Sequence, residues 1–329
     1  MQIEKFMEWQ QIIDDIKTDD KNKYDIECVE ADRMTMNDSS GLVRIAGQKD
    51  NFVLTPWSSK QVCRFFKIPF EFWNNVLDNE ARAYLFNKFS HDNSSQFYVR
   101  CRESNDGAHT IRGILSDKFM PLDNRFVLEQ LKEFVQRNDQ YKIVNFNLND
   151  LSMEMRMVLN SDGINVGNGN PDYLYGGIHL GNSEIGLKST MVDSMIFRLI
   201  CANGAIMRAE GQSFLNQNHR GFPETDFAEE YQDAIWEAVA FARESINKFN
   251  SLQSINVTEK MGEKVFDGMR NLRAVSEDFI QKIEQEFDTT NRNAYSLVNI
   301  ITSKAQDLDW EQRLYFERFA GSVILNMAA

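Results

Sequence analysis

Tyr98, Arg100 and Arg102 alternate along Gln96–Arg102, so a strand would carry all three on one face and Phe97, Val99 and Cys101 on the other. Arginine beside exposed tyrosine suits single-stranded nucleic acid: guanidinium groups hold phosphates, and rings stack on bases without reading their order. Arg112 falls on an expected neighbouring strand, and Lys118 and Arg125 flank the turn Asp117–Asn124. Lys188, Arg208, His219 and Arg220 follow in or near later loops. Arg198 interrupts the otherwise apolar run Met195–Cys201, where a buried guanidinium needs a partner. That partner is a carboxylate such as Asp193 or a phosphate reached from the sheet face. These eleven residues are the candidate nucleic-acid contacts. A solvated sheet face with local ion pairs is the plain alternative, and spacing alone favours it.

Other chemistries find little footing. There is no phosphate-binding loop, no His-Glu-x-x-His and no Gly-x-Ser-x-Gly elbow. Gly167-Asn-Gly169 reads as a turn. His91, His109, His179 and His219 lack metal-ligand spacing. Pro171-Asp172 with Glu184 and Lys188 is an incomplete nuclease pattern, because the lysine stands four residues after the acid rather than two. The chain is therefore expected not to be an enzyme, with no metal site and no cofactor beyond magnesium accompanying the nucleic acid.

The elements that must position these residues are α+β. Residues 3–17 read as a short amphipathic helix, and residues 24–55 as irregular strands broken by Asn37–Gly41 and Gly47–Asn51. Pro56-Trp57-Ser58-Ser59 offers a serine cap for a helix through Phe66, with another helix near residues 70–89. Ser152–Leu159, Tyr173–Leu180 and Met195–Cys201 read as strands, the last covered on both faces, and residues 124–137 as a helix between them. The hairpin-length loop Gly181–Gly186 favours an antiparallel sheet. After Pro223 the period becomes helical, with the stripe Tyr231, Ile235, Val239, Ala242, Ile246 and Phe249. Thr258, Ser276 and Asp309 are caps for later helices, the last ending near Met327. The division is a mixed core over residues 1–222 and a helical region over residues 223–329. The stripe is expected to mediate self-association or to pack on the chain's own sheet.

Charge is distributed unevenly. The net value of −13 argues against nucleic acid, yet residues 221–329 alone hold 19 acidic and 11 basic groups. Residues 95–220 hold 14 and 13, so the region with the candidate contacts is nearly neutral. Four scattered cysteines, Cys28, Cys63, Cys101 and Cys201, read as reduced and mostly buried thiols. No stretch suits a membrane span and the first residues are not a signal peptide, so a cytoplasmic location is expected.

Three stretches carry a resemblance. Gly113-Ile-Leu-Ser-Asp-Lys-Phe-Met-Pro-Leu-Asp-Asn124, Gly181-Asn-Ser-Glu-Ile-Gly186, and Phe197-Arg-Leu-Ile-Cys-Ala-Asn-Gly204 with His219-Arg-Gly221 resemble motifs of the phage- and plasmid-encoded domain-of-unknown-function 932 family. The resemblance runs from about residue 50 to 250, and the helical tail carries nothing specific. The strand-rich middle and helical tail are also similar in architecture to phage single-strand annealing proteins of the Red-beta, RecT and Erf type. That similarity implies a homo-oligomeric ring or filament holding single-stranded DNA and pairing it with its complement, without nucleotide hydrolysis. The alternative is an interaction or counter-defence protein that binds a host protein through its acidic helical region.

Overall fold

Alternating and helical patterns resolve into two sheets, each with its own helical cover, in a computed structural model that describes residues 6–137, 141–159, 163–166, 173–198, 203–208, 213–220, 224–272 and 274–327. The first part comprises α1 (Trp9–Asp20), β1 (Lys23–Glu30), β2 (Met34–Met36), β3 (Val43–Ile45), β4 (Asn51–Leu54), α2 (Pro56–Phe66), α3 (Phe70–Asn75), α4 (Asn79–His91), β5 (Gln96–Glu103) and β6 (His109–Ser116). The second runs through α5 (Asn124–Arg137), β7 (Tyr141–Leu148), β8 (Met153–Leu159), β9 (Ile164–Asn165), β10 (Tyr173–Asn182), β11 (Thr190–Arg198), β12 (Asn203–Met207) and β13 (Leu215–Gln217). The helical region holds α6 (Glu224–Ser251), α7 (Glu259–Leu272), α8 (Glu277–Asp288), α9 (Ala294–Lys304) and α10 (Trp310–Met327).

The strand order of the first sheet is β1-β5-β6-β4-β3-β2, antiparallel except for the parallel pair β4 and β6. That of the second is β12-β11-β10-β8-β7, all antiparallel, with β13 beside β11 and β9 beside β10. The expected strands at 96–102, 152–159 and 173–180 are present, but they belong to two sheets rather than one. The last expected strand runs over Thr190–Arg198, and its predicted end, including Cys201, lies outside the described residues.

Local chemistry explains three differences from the expected boundaries. The first helix starts only at Trp9, because Met7 instead makes a β-bridge to Ile143. Thr55, not a serine, caps α2: its hydroxyl accepts from the Ser58 backbone at 3.1 Å, with Pro56 in the first turn. The expected 70–89 helix is two, since Asp78 caps a new start by accepting from the Ala81 backbone at 2.8 Å. Residues 124–137, the starts of α7, α8 and α10, and the end at Met327 match the sequence pattern.

Helices α2 to α4 cover the first sheet, around Val43, Phe52, Trp73, Phe86 and Val99. In the second sheet Met153, Met155, Met157, Ile178 and Val192 meet α5 and α6. The α6 stripe is wholly consumed here: Tyr231, Ile235, Val239, Ala242, Ile246 and Phe249 are all buried against the chain itself. Of the two expectations for this stripe, packing on the chain's own sheet is the one its burial supports. A further core joins β10 to β12 with α7 to α10. There α10 lies so close to β12 that a Cβ added at Gly321 would stand 1.9 Å from the Ile206 carbonyl oxygen. Cys63 and Cys101 are buried free thiols, Cys28 is exposed, and no described helix is long and apolar enough to cross a membrane.

Candidate nucleic-acid interface

The hairpin turn between β10 and β11 is where the two sheets meet, and its halves have opposite surroundings. Its first half, Asn182 to Ile185, is buried. Glu184 accepts from Lys23 at 2.8 Å, from Arg112 at 3.0 Å and from the Asn124 backbone at 3.1 Å. Arg100 donates to the Glu184 carbonyl at 3.0 Å, grips Asp25 with two donors at 3.0 and 3.1 Å, and lies 2.7 Å from Asp123. Asn182 donates to the Leu122 carbonyl at 2.9 Å and to the Asn124 amide oxygen at 2.8 Å, and Trp57 donates to the Ile185 carbonyl at 3.0 Å. Burial alone would raise the Glu184 carboxyl, but Lys23, Arg112 and Arg100 overcome that and hold it at about 2. This clasp ties the first sheet to the second.

The expected arginine face is thus part of the fold's interior. Arg100 and Arg112 are 3% and 4% exposed, and Arg102 is paired with Asp19 and Asp150. Tyr98 donates to Asp25 at 2.8 Å. These side chains do share a face, but it meets carboxylates from β1, α1 and neighbouring turns rather than solvent. Arg208 is locked on Asp193 by two bonds of 3.0 Å, which takes the carboxylate suggested for Arg198. Arg198 points from the opposite strand face and lies over the Tyr295 ring, 5.8 Å from its centroid. Arg125 is exposed and paired with Glu129 at 3.0 Å. Lys118 is exposed.

The second half of the turn opens on a groove of about 600 Å3. Gly186 to Ser189 form one wall and Asn216 to Arg220 another, while Arg64 reaches in from α2 and Leu115, Ser116 and Phe119 lie along β6 and its end. Phe119 and Arg220 are β-bridged, and the Met120 backbone donates to the His219 carbonyl at 3.0 Å. This pairing lays the Phe119 ring flat on the His219 imidazole, with centroids 5.2 Å apart and planes 4° from parallel. Burial, partly opposed by the Met120 backbone, pushes His219 down to about 4, so the imidazole is neutral near pH 7. Lys188 is paired with Glu154. Arg64 and Arg220 are exposed and form no ion pair among the described residues. Among the described residues, no carboxylate lines the groove.

Of the predicted contacts, Lys188, His219 and Arg220 come together here. Arg64 and Phe119 were not foreseen, and of the two Phe119 carried a signal, as the aromatic residue of the Ser-Asp-x-aromatic-x-Pro stretch. The carboxylates Asp19, Asp20 and Glu184 converge closely enough to hold a cation, and the Lys23 ammonium sits among them as one. The incomplete nuclease pattern falls apart as well: Asp172 lies outside the described residues, Glu184 is in the clasp, and Lys188 pairs with Glu154.

The turn at the clasp, Gly181–Gly186, is one of the stretches that carried the family resemblance. The family described as Domain of unknown function (DUF932) matches residues 112–309, more than half of the sequence, and the chain belongs to that family. The match extends to Asp309, so it includes most of the helical tail for which the motifs gave nothing. No curated protein and no solved structure matches the chain.

Proposed function

We propose that the protein binds single-stranded nucleic acid in the groove between the β10–β11 turn and the segment after β13. One observation carries this reading: within a chain of net charge −13, the groove gathers Arg64, Lys188 and Arg220, and no carboxylate lines it among the described residues. Cations there would hold phosphates. The amides of Asn216, Gln217 and Asn218 supply donors and acceptors, and the edge of the Phe119–His219 stack offers a surface for a base. The fuller form of the proposal is annealing of complementary strands by an oligomer of the phage annealing type, with no nucleotide hydrolysis.

The test is fluorescence anisotropy with a labelled oligothymidylate and a mixed-sequence strand, each as DNA and RNA, across a salt series. Binding should weaken with salt and show little sequence preference. Joint replacement Arg64→Ala/Arg220→Ala should weaken it about tenfold, the loss of two charge-assisted phosphate contacts. Undetectable binding at low salt rejects the reading. A second reading rests on Trp236, which is 51% exposed on α6 among Asp233 and Glu237. An acidic helical face with an exposed indole fits a protein partner, and capture of a partner abolished by Trp236→Ala, without nucleic-acid binding, would favour it.

A further inference from the structure

We infer that the cleft between α6, α7, α10 and the end of β12 is a binding site for a small organic anion, an acidic head group carried on a flat apolar body. The cleft holds about 670 Å3, the size of an ordinary small-molecule pocket. Phe241, Leu272, Phe319 and Leu325 supply apolar walls, and Arg208, Arg318 and Lys248 supply the charge. Among the described residues, no carboxylate lines it. It lies on the helical side of the molecule and shares no lining residue with the nucleic-acid groove.

The cationic end is built rather than incidental. Arg208 and Arg318 converge on the fully buried Asp193, Arg208 through two bonds of 3.0 Å and Arg318 at 3.6 Å. One carboxylate thus anchors two guanidinium groups, and it also faces the His179 imidazole at 3.8 Å. Among the described residues, Arg318 also bonds the Met191 sulfur, and its buried Nε has no hydrogen-bond partner there. Burial, and then the charge of Arg208, lower the Arg318 pKa, an imbalance that a bound anion would relieve. Lys248 stands at the rim, paired with Glu244 at 3.1 Å. The half-exposed Tyr315 adds a further ring to the lining. A free inorganic anion would use the cations and leave the walls wet. A neutral hydrocarbon would fill the walls and leave Arg318 sharing with Arg208 a single carboxylate, Asp193. A ligand joining both properties satisfies the whole cleft.

Isothermal titration of the full chain with 2-naphthoate and with 2-naphthyl phosphate tests this and tells carboxylate from phosphate. At least one should bind about tenfold or more tightly than 2-naphthalenemethanol or inorganic phosphate, the margin of a charge-assisted hydrogen bond. Ser322 is exposed at the mouth, so Ser322→Trp should block binding while leaving melting and single-stranded nucleic-acid affinity unchanged. Arg318→Gln should weaken binding, and the Ser322→Trp result decides the matter if that variant does not fold. Absence of binding by both naphthyl anions overturns the proposal. So does full binding by well-folded Ser322→Trp, or equal affinity for the neutral alcohol or for inorganic phosphate.

Discussion

The clasp and the groove share one turn, yet they put the same residue types to opposite uses. On the clasp side Arg100 and Arg112 are buried, and Asp25, Asp123 and Glu184 are supplied to them. On the groove side Arg64 and Arg220 are exposed, and the polar residues nearby are the amides Asn216, Gln217 and Asn218. The difference lies in what surrounds the cation rather than in the cation. A guanidinium taken out of water must be matched by carboxylates, whereas one beside neutral amides keeps its charge available for a ligand.

Removing the Glu184 carboxylate is expected to have the largest effect. Glu184→Ala would leave Lys23 and Arg112 without a shared acceptor and cost about 3–5 kcal/mol, visible in denaturant unfolding. A loss under about 1 kcal/mol would break the contrast between the two regions. Acid should act on the same point. The folded Glu184 carboxyl lies near 2 against an ordinary 4.5, so its stabilisation is complete above about pH 5 and drains away as pH falls toward 2. His219 adds an earlier loss: its folded value near 4 lies below the ordinary 6.5, so its contribution is present above pH 6.5 and lost between there and pH 4. Unfolding free energy measured against pH should therefore fall in two stages, the lower one smaller in Glu184→Gln, where the held-down carboxyls of Asp193 and Glu154 still contribute.

The groove should respond in binding alone. Arg64→Ala/Arg220→Ala should leave melting unchanged and flatten the log–log salt slope by roughly 1.4, the value for two phosphate contacts on a single strand. An equal loss of stability would mean that these arginines belong to the fold after all. Arg102, partly exposed between Asp19 and Asp150, should behave in the reverse sense. Arg102→Ala is expected to cost about 1 kcal/mol of stability with unchanged oligonucleotide affinity. The smallest effect belongs to Arg125, whose exposed pair with Glu129 should be worth about 0.5 kcal/mol or less and whose replacement should not alter binding.

Period and punctuation made much of the fold legible. The alternation in Ser152–Leu159 and Tyr173–Leu180, the helix at 124–137 and the caps at Thr258 and Asp309 are local signals that the structure keeps, while Ser276 holds the cap position of α8 without a side-chain bond. The split into two sheets was not legible, because strand pairing depends on partners such as Phe52 and His109, more than fifty residues apart. The site was legible only in its loops. Lys188 and Arg220 could be found because a cation in a polar turn has few other uses, and His219 because it stands next to Arg220. Arg100 and Arg112 misled because period two shows that residues share a face, but not which carboxylates a distant strand brings to it. Arg64 gave no sign, being one exposed cation on a helix whose place beside the turn is fixed by tertiary packing.

The long helix α6 has a mechanical consequence of its own. Over 28 residues it passes from one apolar cluster to another, giving Phe227, Tyr231 and Ile235 to the first and Ile246 and Phe249 to the second. Helix propensity alone would hold such a rod weakly in water, so each cluster stabilises the half that the other borrows. Loosening either layer bares part of the shared helix and weakens its neighbour's hold. Strain entering at the anion cleft, where Phe241 and Lys248 ride on this helix, therefore has a stiff lever toward the second sheet, whose β10 leads directly into the turn beside the groove.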